Sequence, residues 1–153
     1  MTNQAHIHDL KLDLRPAPRP NALYKPVVMF GRCAYVSGHA PLRTDGSRIT
    51  GRVGENLDLA AGKTAARQSG LAILSTLQAE LGSLDRVKRV IKVLGLVNCT
   101  SNFTQHPAVI NGCSELFAEV FGPENGVGAR SAAGMNSLPG DIAVEIEAIF
   151  EVE

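Results

Sequence analysis

The chain has 153 residues, 44% of them hydrophobic and 20% charged, with 15 Lys and Arg balanced by 15 Asp and Glu. That length suits one domain with its own core. Zero net charge lacks the basic footprint of a protein that neutralises many phosphates, so nucleic acid is not an expected partner.

Cys33, Cys99 and Cys113 show no CxxC spacing, which argues for free thiols and against a disulfide framework or a zinc site. No apolar run reaches the ~20 residues of a membrane span. The N-terminus, MTNQAHIHDLKLDLRPAPRP, carries no signal-peptide pattern, so the expected location is cytoplasmic. Residues 1–20 read as an arm and 21–153 as a single domain. Within the arm, Ile7–Leu14 suits a short helix or strand, and Pro16, Pro18 and Pro20 then impose an extended lead-in.

Val27–Phe30 and Cys33–Ser37, separated by Gly31–Arg32, predict a hairpin. Gly38–Gly54 is a polar, glycine-containing stretch with room for a short strand near Arg48–Ile49. Its Gly51–Arg52–Val53–Gly54 is not a phosphate loop, since no Lys–Ser/Thr follows. Leu57–Leu81 is the long helix: Leu71, Leu74, Leu77 and Leu81 recur at helical steps, Asp58 suits the N-cap and Gly82 the C-terminal stop. Gly62 and Gly70 lower its propensity and imply close packing, expected here against a sheet. Val87–Val97 predicts a central strand. Pro107–Phe121 predicts a second helix, with an apolar stripe through Val109, Ile110, Cys113, Leu116, Phe117 and Val120, ended by Gly122–Pro123. Arg130–Asn136 and Ala143–Val152 complete the strands. Two helices are too few to cover both faces of such a sheet, so both belong on one face, and the other face meets water or another subunit. Leu96, Val36 and Met135 are expected on that open face.

The chemistry-bearing residues each admit two readings. Arg130, among Gly126, Gly128 and Ala129, is either a carboxylate-binding guanidinium or a surface arginine paired with a glutamate. A turn at Leu138–Pro139–Gly140–Asp141 would bring it near Glu145. Glu145 and Glu147 share a strand face; Glu145 is the candidate general base, whereas Glu147 and Glu151 read as solvated. Tyr24, stiffened between Pro20 and Pro26, either presents a phenol to a cleft or fills a core. Ser37–Gly38 is either an oxygen-binding strand end or a simple junction; with no His–Asp context Ser37 is not a nucleophile. His39 is a further pocket-lining candidate. No His, Cys or acidic spacing suggests a metal.

Tyr24, Val36–Ser37–Gly38–His39–Ala40–Pro41, Asn111, and the run from Ala129–Arg130–Ser131 through Leu138–Pro139–Gly140 to Val144–Glu145–Ile146–Glu147–Ala148 together resemble the RidA/YjgF family of reactive-intermediate (enamine/imine) deaminases. The likeness runs from about Pro20 to the C-terminus. It implies an α+β, chorismate-mutase-like fold: a mixed β-sheet with two helices on one face, assembled as a homotrimer with clefts between subunits. It also implies hydrolysis of 2-aminoacrylate-type enamines and imines to 2-oxo acids and ammonia, with no metal or organic cofactor. Carried over by position, Arg130 binds the substrate carboxylate, Glu145 positions or activates water, Tyr24, Ser37 and Gly38 line the cleft, and Asn111 is a structural or cleft-lining helix residue. One departure is Ala132, where many members carry a cysteine. The longer arm and the residues around Thr104–Pro107 suggest a distinct subgroup. The competing readings are a non-catalytic trimer that binds or senses small carboxylates, and an endoribonuclease or translation inhibitor, which the neutral composition disfavours.

Overall fold

In the computed structural model, which describes residues 1–153, five strands form one sheet. They are β1 (Val27–Phe30), β2 (Cys33–His39), β3 (Val87–Asn98), β4 (Ala129–Met135) and β5 (Val144–Val152). Their order is β1-β2-β5-β3-β4. Only β3 and β4 run parallel. Three helices accompany them: α1 (Asn3–Asp9), α2 (Leu59–Leu81) and α3 (His106–Asn125). The expected strand near Arg48–Ile49 is reduced to isolated bridges, Leu42 to Arg48 and Thr50 to Ile142.

Period-two alternation decides which side chains enter the core. On β5, Val144, Ile146, Ala148, Phe150 and Val152 are all buried beneath the helices, while Glu145, Glu147, Ile149 and Glu151 point to the opposite face. The Phe150 ring meets Phe117 of α3 edge-on, with centroids 5.5 Å apart. Gly95 of β3 leaves the space that Ile110 occupies. Both long helices therefore cover one face. Leu96 and Met135 lie on the other as expected, with Tyr35 and Ile149, but Val36 is buried on the helical side. A bulge between Val36 and His39 resets the alternation of β2, so Gly38 faces out and His39 faces in.

The cap residues act as their chemistry dictates. Asp58 accepts from the Ala61 N–H at 2.8 Å, and Gly82 closes α2 at φ 82°. Gly122, at φ 90°, breaks the helical path of α3 before Pro123 starts its last turn. The helix glycines, however, serve helix–helix contact rather than helix–sheet contact. Gly70 lies against Leu116 and Cys113 of α3, and a methyl group on Gly112 would collide with the Lys63 carbonyl of α2. Gly62 packs against Val53 and Val109.

The arm is fastened down. Ile7 is buried in the core, the His6 Nδ1–H donates to the Val120 carbonyl at 2.6 Å, and Leu12 and Leu14 pack against the core edge. Beyond them the proline-rich segment continues toward the open end of the β2–β5 pair, where Pro18, Arg19, Pro20 and Asn21 form one wall of a cleft.

Candidate functional site

The cleft is built where the bulge of β2 meets the start of β5. Gly38 lies against Glu145 in it, and Tyr24, Arg19 and Pro20 of the arm, and Arg48, Pro139 and Ile142 also line it. Gly38 lets Glu145 approach closely: a Cβ there would lie 2.6 Å from Glu145 Oε1. The turn that carries Glu145 into place is tied to β3 by the Asn98 amide, which donates to Asp141 Oδ1 at 3.1 Å and to the Ile142 carbonyl at 3.2 Å. Glu145 is half-buried and makes no ion pair. Burial, and secondly the charge of Glu147, push its carboxyl above the usual carboxylate range.

Tyr24 is held by the strap that precedes β1. The Ser37 hydroxyl donates to the Lys25 carbonyl at 2.6 Å and the Ser37 N–H to the Pro26 carbonyl at 2.9 Å. Ser37 thus anchors the Tyr24–Pro26 segment and is not itself among the cleft-lining residues. His39 is buried and, as expected, lines the cleft beside Gly38. Its Nδ1–H donates to the Ser37 carbonyl at 2.6 Å, which leaves Nε2 to accept from the Thr76 hydroxyl at 2.7 Å. Desolvation lowers its pKa, so it stays a neutral brace between the bulge and α2.

Arg130 lies elsewhere. It pairs with Val93 on β3, whose buried side chain faces the helices, whereas Glu145 pairs with Leu96 on the open face. The expectation that a β4–β5 turn joins the two residues is overturned, because β3 lies between those strands. The guanidinium turns toward α3: Nη1 donates to Asn111 Oδ1 at 2.8 Å and Ser114 Oγ at 3.1 Å, and Nη2 reaches the Pro107 carbonyl at 3.5 Å. No carboxylate lies within ion-pair distance, so it is not a surface arginine neutralised by a glutamate. Asn111 belongs with Arg130, and Tyr24, Gly38 and Glu145 belong together. The chain carries these two residue groups on opposite faces of its sheet.

Two acidic residues behave differently from each other. Glu147 is exposed, as its place on the open face implies, but Glu151 is gripped by Arg32 at 3.2 Å and Arg89 at 2.7 Å rather than solvated. In the basic run, Lys88 pairs with Glu153 and Arg89 with Glu151, while Arg86 donates to the Glu153 and Leu81 carbonyls. It offers no free cationic stripe for a polyanion. Arg19 and Arg48 are cleft residues that the sequence motifs did not single out.

The mixed sheet with helices on one face defines the chain as an α+β protein of chorismate-mutase-like fold. It belongs to the family described as "YjgF/chorismate mutase-like, putative endoribonuclease", whose model matches residues 10–141. Protein TCP17 of Trypanosoma cruzi is 40% identical over 148 residues, spanning 97% of this chain and 92% of that protein. The crystal structure of Atu1372 from Agrobacterium tumefaciens, a protein of unknown function, is similar at a TM-score of 0.90 and 38% identity, over 99% of this chain and 92% of that one. The E. coli YjgF gene product matches at a TM-score of 0.61 and 25% identity, over 88% of this chain and 92% of its own.

Proposed function

We propose that the chain assembles as a homotrimer and hydrolyses reactive enamine or imine intermediates of the 2-aminoacrylate type to 2-oxo acids and ammonia. The observation that carries this reading is the division of the site. A base candidate with a raised carboxyl pKa sits in one cleft, and the carboxylate-binding candidate sits on the opposite face of the same sheet. A small ligand can meet both only if a second copy brings its Arg130 to the Tyr24–Gly38–Glu145 cleft of the first. The open sheet face, with Tyr35, Ile149, Leu96 and Met135 on it, supplies apolar surface for such an assembly.

The chemistry then needs little beyond positioning. Arg130 holds the substrate carboxylate in a bidentate grip while Asn111 and Ser114 fix the guanidinium plane. The enamine tautomerises to its imine. Glu145 takes a proton from water as the water oxygen bonds to the imine carbon and returns it to the imine nitrogen, then relays the carbinolamine hydroxyl proton to the amine in the same way. The carbinolamine then collapses: the C–N bond breaks, the C=O bond forms and ammonia leaves. A carboxyl pKa raised above the usual range suits a group that both accepts and returns a proton. None of these steps calls on a metal or an organic cofactor. Residues 21–153 carry this unit, the first 20 form its arm, and the setting is the cytoplasm.

The test is release of 2-oxo acid from imines generated in situ by a coupled enzyme, with Arg130→Ala beside the native chain. The variant should lose activity and keep its oligomeric mass; an unchanged rate would overturn the assignment. A second reading, a non-catalytic trimer that binds small carboxylates, is favoured by Ala132 standing where many family members carry a thiol. Glu145→Gln separates the two, since a catalyst loses turnover and a binder keeps its affinity. The endoribonuclease in the family's description finds no support in the paired basic run, and steeply salt-dependent RNA binding would revive it.

A further inference from the structure

The cleft around Glu145 holds more positive charge than one carboxylate ligand would use. Arg19 and Arg48 both line it. Neither guanidinium has a carboxylate within 4.0 Å or donates a hydrogen bond within the chain, although six other ion pairs form across the molecule. Glu145 is the only acidic residue in the lining, and what shifts its carboxyl is burial and Glu147, not an arginine. Neither guanidinium forms an ion pair with the Glu145 carboxylate.

Both are held in place through the backbone. Arg48 pairs with Leu42 in an isolated bridge, and its carbonyl accepts from Arg43 Nη1 at 2.9 Å. Its own Nη1 lies over Gly140, 3.2 Å from where a Cβ would stand, on the Pro139–Ile142 wall. Arg19 sits between Pro18 and Pro20, whose rings restrict the chain that carries it. Both side chains are exposed and uncommitted, and guanidinium forks recognise carboxylate and phosphate oxygens.

We propose that Arg48 and Arg19 bind a second anionic group, so that the substrate class of this cleft is a 2-oxo acid, or its imine, that carries a further acid at the end of its side chain. This rests on the deaminase reading of the same cleft and narrows it. Arg130 of a neighbouring copy holds the carboxylate common to all such compounds, and the arm and the Leu42–Arg48 loop read the distal acid.

Calorimetric titration at low ionic strength tests it with two probes, 2-oxobutanoate and 2-oxoglutarate, on the native chain, Arg48→Ala and the Arg19→Ala/Arg48→Ala double variant. The native chain should bind 2-oxoglutarate on the order of tenfold more tightly. Arg48→Ala should lose most of that preference and the double variant all of it, with 2-oxobutanoate affinity unmoved, and added salt should shrink the preference. Equal native affinity for the two probes would overturn the inference and leave the deaminase reading standing. So would an Arg48→Ala variant that weakens both probes alike, because Arg48 would then hold the common carboxylate. Binding of neither probe would overturn both.

Discussion

Gly38→Ala is the sharpest perturbation of the proposed chemistry that spares every charged group. Gly38 does not occupy the left-handed region, so its backbone accepts alanine without strain. The added Cβ would lie 2.6 Å from Glu145 Oε1, 2.9 Å from Cδ and 3.0 Å from Cγ, where ordinary contact begins at 3.4 Å. The carboxylate must therefore retreat by about 0.8 Å, and it can, because it is the free end of a flexible side chain. Folding stability should change by less than about 1 kcal/mol. Catalysis should not be so tolerant: a displacement near 1 Å of a catalytic group costs on the order of a hundredfold in rate. The assay is kcat for imine hydrolysis beside a thermal unfolding curve and a mass in solution. A hundredfold lower kcat at native Tm and mass is expected. Native kcat in a folded Gly38→Ala protein would refute the placement of Glu145 as the base.

Glu145→Gln should also change stability with pH. Burial and Glu147 raise the folded-state carboxyl pKa. The folded chain therefore binds that proton more tightly than the unfolded chain does. The resulting stabilisation is complete below the unfolded value of about 4.3 and is lost as pH rises through the folded value. Gln cannot ionise, so the variant should melt above the native chain at pH 7 and lose that advantage near pH 4; a pH-independent difference would contradict the shift. Gly112→Ala should destabilise by about 2–4 kcal/mol, because its methyl group meets the Lys63 backbone rather than a movable side chain; chemical denaturation reads this, and native stability would show that α2 and α3 can separate. Asn111→Ala should leave the Arg130 guanidinium short of its 2.8 Å partner and raise KM more than it lowers kcat; a pure kcat effect would place Asn111 elsewhere in the chemistry.

Much of this architecture is legible in local sequence because its causes are local. Asp58 and Gly82 bracket α2 through cap chemistry, the Val87–Val97 run declares a central strand, and alternation along Val144–Phe150 separates core from open face. What local pattern does not carry is the order of strands. The Leu138–Gly140 turn suggested that β4 and β5 are neighbours, yet β4 pairs in parallel with β3 across α3. The strand–helix–strand succession itself held that signal, since a helical crossover is how parallel strands are joined. The glycines of α2 are the close-packing positions their low helix propensity implies, but their partner is α3, a contact set by tertiary geometry. The site divides the same way. Glu145 and Gly38 lie together because a bulge in β2 reverses its alternation, and one residue's slip cannot be read from composition. Arg48 and Arg19 carry no motif, and only the fold brings the arm and the loop beside Glu145.

The proposed active site takes Arg130 from one subunit and Glu145 from another. Arg130→Ala and Glu145→Gln chains, each inactive alone, can be co-expressed with different tags and purified through both. Every doubly tagged cyclic trimer then contains one interface at which both native residues meet. Such trimers should recover about one third of the native rate of imine hydrolysis. If mixed trimers stay as inactive as their parents, the site is not shared between subunits and the account is wrong.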